Sequence, residues 1–220
     1  MKKILTTLFV TLFVASTAHA EKRIGISGAY TMFSSDGTET VKSSAQKNEK
    51  THDEDVVVPS IFVEFVNDNG VGIGLDFIPA SAELGSAVNA RTDTDTDDAS
   101  DTAGDNKVSA ELTSHTTLYV LLPVRDSGFY LKGGMARATI DTTETLATGS
   151  TYGNEDVHGI MIGAGVSKDN DSGVFFRSEV TYTDYEDATF KGSLDTNSVR
   201  NTIDGNVDAL AVRFSIGKSF

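Results

Sequence analysis

Leu210-Ala211-Val212-Arg213-Phe214-Ser215-Ile216-Gly217-Lys218-Ser219-Phe220 alternates strictly. Leu210, Val212, Phe214 and Ile216 share one face, and Ala211, Arg213, Ser215, Gly217 and Ser219 the other. A period of two, bulky and apolar on one side and small or polar on the other, suits a strand between lipid and a polar lumen. Lys218 interrupts the apolar face only at its edge, where its stem can snorkel.

The same pattern recurs seven times upstream. Arg23–Phe33 sets Ile24, Ile26, Tyr30 and Met32 against Gly25, Ser27, Ala29 and Thr31. Val56–Val66 sets Val57, Ile61, Val63 and Phe65 against Ser60 and Glu64, and Val71–Pro79 sets Ile73, Leu75 and Phe77 against Gly72, Gly74 and Asp76. The fourth strand, Val108–Val124, reads as Leu112, Thr116, Leu118, Val120 and Leu122 outward with Glu111, Thr113, His115, Thr117 and Tyr119 inward. Phe129–Ile140 (Leu131 and Met135 against Lys132, Gly134 and Ala136) and Val157–Lys168 (Ile160, Ile162, Ala164 and Val166 against Gly159, Gly163 and Gly165) continue the series. Val174–Glu186 completes it, with Phe176, Val180 and Tyr182 opposed by Arg177, Glu179 and Thr181.

The connections alternate too. Asn67–Gly70, Arg125–Gly128 and Asp169–Gly173 are short turns of hairpin type. Ser34–Asp55, Ser81–Lys107, Thr142–Asp156 and Asp187–Asn206 are long, polar and poor in large apolar residues, and read as structureless outer loops. The pattern predicts an all-β fold: an eight-stranded, antiparallel, up-and-down transmembrane β-barrel with short periplasmic turns and four long extracellular loops.

The N-terminus fits an exported chain. Lys2 and Lys3 precede an apolar run from Ile4 to Ala15, and Ala18-His19-Ala20 supplies small residues, so residues 1–20 read as a cleavable signal peptide and 21–220 as the barrel. That run is too short to span a bilayer. With no cysteine, disulfides and a lipoprotein anchor are excluded. Only helices and closed barrels satisfy the backbone in lipid, and no apolar twenty-mer remains downstream.

Phe175-Phe176-Arg177-Ser178-Glu179-Val180-Thr181-Tyr182-Thr183-Asp184-Tyr185 resembles the penultimate strand of small OmpA-like and opacity-type surface barrels, which carry Arg, Glu and Tyr at similar spacing. Phe129–Ala136 and Gly159–Val166 resemble their glycine-bearing middle strands. The likeness covers most of the mature chain, departing from the family in having no Trp and in its acidic loops. It implies a Gram-negative, porin-like outer-membrane protein. A chain stopping at Phe220 likewise resembles the assembly signal of such barrels, carried here by Leu210, Val212, Phe214, Ile216, Gly217 and Phe220.

Eighteen basic residues, two of them in the leader, face thirty-two acidic ones, for a net charge of -14. That sign disfavours nucleic acid as a partner. The acidic extreme is Arg91–Asp101, where Asp93, Asp95 and Asp97 match the first ligands of a calcium loop, but Asp98 stands where that loop needs Gly and Gly104 where it needs Glu. A plain solvated loop is the better reading, and no cofactor is expected. Inside, Glu64, Asp76, Glu111, Lys132, Arg177, Glu179 and Arg213 form a nearly balanced charge network, read either as a salt-bridge plug or as an ion path. An eight-stranded lumen is just wide enough for side chains, which favours the plug. The inward glycines Gly72, Gly74, Gly134, Gly163 and Gly165 then leave room for neighbouring Arg and Tyr side chains.

No catalytic constellation emerges: His115 faces inward, Ser114 points away from it, His158 shares the outward face of Ile160, and His52 lies in a loop. The sequence therefore points to a monomeric, non-enzymatic surface barrel with a structural or adhesive role. Its expected partners are outer-membrane lipid and lipopolysaccharide, the barrel assembly machinery and periplasmic chaperones, and a host, phage or extracellular ligand at the loops. A narrow channel for small solutes or ions is the alternative, and a lipid-modifying enzyme a more distant one.

Overall fold

The computed structural model describes residues 20–41, 46–91, 104–125, 127–146, 151–193 and 201–220. The signal peptide through residue 19 and the calcium candidates Asp93, Asp95 and Asp97 lie outside them. The strands are β1 (Glu21–Val41), β2 (Gln46–Val66), β3 (Gly72–Phe77), β4 (Ala82–Arg91), β5 (Gly104–Pro123), β6 (Phe129–Thr145), β7 (Glu155–Asp169), β8 (Val174–Tyr185), β9 (Ala188–Lys191) and β10 (Thr202–Ser219). Neighbours pair antiparallel in the order β1-β2-β3-β5-β6-β7-β8-β10, and β10 returns to β1, closing a ring of eight. The other two are continuations: β4 follows β3 after a short break and pairs with β5, and β9 follows β8 and pairs with β10.

Closure is a long seam, from Arg23↔Ser219 to Thr40↔Thr202. At its foot Lys22 and Phe220 exchange both backbone hydrogen bonds, at 3.2 and 2.8 Å. The short turns close locally. Asn67 accepts the backbone N–H groups of Asn69 and Val71, both at 3.0 Å, and Asn170 does the same for Ser172 and Val174. Gly70 and Gly173 complete these turns at φ 78°, where a Cβ would be strained.

Outward residues near the turns are exposed and apolar, among them Ile26, Ile61, Leu131, Ile162, Phe176 and Phe214. On β1 this belt runs from Ile24 to Met32, about 26 Å of strand at ~3.3 Å per residue, enough for a tilted crossing of the hydrocarbon layer. Above it the outward positions turn polar: Asp55, Arg137, His158, Asp184 and Asp208 ring the barrel. The inward positions change in the opposite sense. There Phe33, Val58, Leu112, Ile140, Val157 and Val207 are buried in one apolar cluster.

The ladders do not stop at the belt. β1 and β2 stay paired to Val41↔Gln46, so most of Ser34–Asp55 is sheet. β4 and the start of β5 lie within Ser81–Lys107, and β9 and the start of β10 within Asp187–Asn206. The four connections are thus shorter than the sequence reading gave them. That reading ended each strand where outward apolar residues ran out, but a ladder in water needs none on that face.

Two strands also break parity: β4 shifts register between Glu83 and Gly85, and β5 does so next to the lumen charges. β5 carries a bulge between Thr113 and Thr116, with Ser114 at φ 53°. The extra residue shifts the alternation, so Leu112 is buried in the lumen and Glu111 is exposed on the outer wall opposite Asp141. Glu111 therefore does not belong to the interior charge network. In purified, folded protein, which has no native cysteine, Glu111→Cys should react with a bulky polar maleimide within minutes, and Leu112→Cys should resist it. Equal labelling would place both residues at an ordinary strand parity.

Candidate functional site

The turn-side half of the lumen is filled by ion pairs and aromatic rings. Arg177 on β8 forms a two-pronged pair with Glu64 on β2, with Nη2–Oε2 at 2.6 Å and a second, shorter contact between Nη1 and Oε1. Lys132 on β6 meets Glu179 at 3.0 Å, and Arg213 on β10 meets Asp76 on β3 at 2.7 Å. Three cations thus face three anions. None of the six side chains is more than 10% exposed. Buried charges this deep persist only with partners, and two of the three pairs have further hydrogen bonds. Tyr119 donates to Glu64 at 2.7 Å, Ser60 donates to Asp76 at 2.8 Å, and Arg213 Nη1 donates to Ser27 and Ser60 at 3.1 and 2.8 Å.

Aromatic rings close the gaps. The Arg177 guanidinium lies 4.6 Å from the Phe175 ring, 5.6 Å from Tyr130 and 5.7 Å from Phe62, and Lys132 sits 4.0 Å above Tyr119. These are cation–π distances. Every one of these rings lies over a glycine that is its direct cross-strand partner: Phe62 over Gly25, Phe175 over Gly217, Tyr119 over Gly74 and Tyr130 over Gly165. A Cβ at any of the four would enter the ring. Gly134 and Gly163 are crowded by the backbone of Leu118 and Val180, and Gly72 by Val66 and Leu121. The inward glycines are space for side chains.

Six of the seven network residues expected from sequence meet in this layer, and Glu111 is outside. Of the proposed assembly residues, Leu210, Phe214, Ile216 and Phe220 are exposed on the wall, Val212 is half-buried, and Gly217 faces inward beneath Phe175. Phe62, Phe175, Tyr130, Ser27 and Ser60 join the site through contacts that the alternation of the sequence alone does not reveal.

The histidines are scattered. His115 is buried above the charge layer, edge-on to Tyr185 at 6.2 Å, whereas Ser114 is exposed at the bulge. His158 contacts Glu186 at 2.9 Å on the outer wall, and His52 contacts Glu54 at 3.2 Å while its ring fills the space over Gly85, where β2 leans on β4. Ser35, the cross-strand partner of His52, donates its hydroxyl to the His52 backbone carbonyl at 3.0 Å and not to the ring. No group of three metal-ligating side chains occurs among the described residues. On the outer wall above the belt, the Arg137 guanidinium donates to Asp156 at 2.7 Å and, with the Thr139 hydroxyl, holds that carboxyl below the usual range.

A closed antiparallel ring, an apolar outer belt and a lumen packed with paired charges define the architecture of a small transmembrane β-barrel. Among solved structures, the chain is similar to the outer membrane protein OprG from Pseudomonas aeruginosa, with 14% identity, 93% of this chain and 99% of that one covered, and a TM-score of 0.55. It is also similar to the outer membrane protease OmpT from Escherichia coli, with 8% identity, coverage of 91% and 97%, and a TM-score of 0.52. At these identities the likeness is one of fold. No family model and no curated protein sequence matches the chain.

Removing one partner of the deepest pair exposes its energetic role. Arg177→Ala should lower stability by about 3–5 kcal/mol in urea unfolding from lipid vesicles, because Glu64 is left charged and dry. The double variant Arg177→Met with Glu64→Gln should recover more than half of that loss. Additive losses would mean that the two side chains do not act as a pair.

Proposed function

We propose that this chain is an outer-membrane surface barrel whose lumen is closed by its own side chains and whose work is done by its acidic outer face and loops. The observation that carries this reading is the layer of three ion pairs sealed by Phe62, Phe175, Tyr119 and Tyr130. A steady ion path would have to part these pairs, and desolvated charges hold each other strongly. The exposed apolar belt supports a bilayer location, and the leader-like residues 1–20 support export. Barrel assembly machinery and periplasmic chaperones are the partners this route requires, with lipopolysaccharide around the upper belt.

Above the belt, paired strands continue as a wall that carries outward acidic residues such as Asp36, Asp53 and Asp208. That arrangement suits adhesion or recognition by a host, phage or other extracellular partner.

Two measurements test the proposal together. Purified protein in a planar bilayer should show no steady conductance, and an epitope inserted beside Ala99 should bind antibody on intact cells while the same epitope between Asn67 and Gly70 stays silent. Reproducible ion-selective openings that change in Glu179→Gln would replace the closed barrel by a narrow channel. Antibody binding at Asn67–Gly70 alone would invert the topology.

A further inference from the structure

The ion-pair layer fills only the lower lumen. Directly above it is a cavity of about 40 Å³. At roughly 10–15 Å³ per water, this holds about three water-sized groups. Its floor is polar: Arg213, His115, Thr31, Thr117 and Thr183 line it. Its walls are apolar, with Phe33, Val58, Leu112 and Tyr185 around it and Ala209 and Ala211 leaving the space open. It reaches the barrel wall at Ile78 and Ala80, both half-buried, where β3 gives way to β4.

Two buried polar atoms at this floor lack a protein partner. They are Nδ1 of His115 and Nε of Arg213, each on a residue 8% exposed. Unpartnered buried polar atoms call for a ligand or water. The charge of that ligand is constrained from below. Arg213 is already neutralised by Asp76, and the layer beneath is balanced three against three. A net charge added here would be buried without a counter-ion, which is costly. A neutral head that can both accept and donate a hydrogen bond meets no such penalty.

We propose that this cavity is a binding pocket for a small neutral amphiphile of about three heavy atoms, ethanol being the simplest that fills it, with its hydroxyl between Arg213 and His115 and its two carbons against Phe33, Val58 and Leu112. The closed layer below makes it a pocket with one end and not a passage. The site does not depend on the loops or on what they bind. A conducting lumen would sink the closed-barrel reading and leave the titration below to be judged by itself.

The test is a titration of the full chain in lipid nanodiscs, with the His115 imidazole signals followed by NMR. The probes are ethanol, formate and ethylammonium, each of three heavy atoms. Saturable shifts with ethanol, and binding of both ions weaker by about tenfold or more, are the expected result. Ala211→Phe should abolish the saturable shift by filling the space. His115→Leu, followed through methyl signals of Val58 and Leu112, should weaken it by about tenfold, the value of one lost hydrogen bond. Ala164→Phe, on the lipid-facing wall, should leave it unchanged. A shift that grows linearly without saturating would reduce the effect to partitioning into lipid and overturn the pocket. Formate binding more tightly than ethanol would overturn the neutral-head assignment. If Ala211→Phe does not fold, the wild-type titration and His115→Leu still decide.

Discussion

A backbone N–H or C=O left unpaired in hydrocarbon costs several kcal/mol, and a sheet can escape that only by having no edge there. The seam between β1 and β10 therefore governs everything else in this molecule. Eight strands are a small ring, and a small ring fixes the lumen diameter at about the width of two interlocking side chains. Side chains that point inward must then fit each other. The four glycine–aromatic cross-strand pairs are the consequence: a ring of Phe or Tyr can cross so narrow a space only by lying on a neighbour without a Cβ.

The strands keep one parity, apart from the register shifts in β4 and β5, while the surroundings of each face change along them. Within the belt the outer face meets lipid and is apolar, and the inner face is polar and ion-paired. Beyond the belt the outer face meets water and carries Asp36, Asp53 and Asp208, while the inner face holds Phe33, Leu112 and Val207. The upper part is thus a water-soluble β-structure with an ordinary hydrophobic core, stacked end to end on a membrane barrel. Burial of apolar surface stabilises the upper part, at about 25 cal/mol per Å². Backbone pairing in a dry medium and lipid contact stabilise the lower.

This inversion explains what could be read from the sequence. All eight barrel strands and the three short turns were legible, because within the belt a period of two with a strong apolar contrast has one reading. The upper halves were not. There Thr, Ser and Asp alternate with few large residues, and a polar ladder resembles a loop. Glu111 was misplaced for a local reason: a single residue, Ser114, takes a left-handed conformation, and nothing in Thr113-Ser114-His115 marks it as the position of a bulge. The charged residues of the site could be found by parity alone, but their pairing could not. Short turns fix register only for β2–β3, β5–β6 and β7–β8, whereas all four glycine–aromatic pairs join strands connected through the far end.

The choice of ion pairs for the lower lumen follows from register and not from stability. Well-packed apolar side chains of the same volume would often do as well or better energetically. Apolar residues inside and outside, however, would let a strand slip by one residue at little cost, since either face would then suit lipid. Charges forbid this. A one-residue slip of β8 would turn Arg177 toward the bilayer, where a lipid-facing Arg costs about 2–4 kcal/mol at mid-depth, and would strand Glu64 in the lumen. Because β8 supplies Arg177 to Glu64 on β2 and Glu179 to Lys132 on β6, its register is tied to strands on two sides of the ring at once. Arg213 on β10 and Asp76 on β3 add a third tie across the lumen. The pairs thus join β2, β3, β6, β8 and β10 across the interior, and only the register that also closes β1 onto β10 leaves none of these charges unpaired.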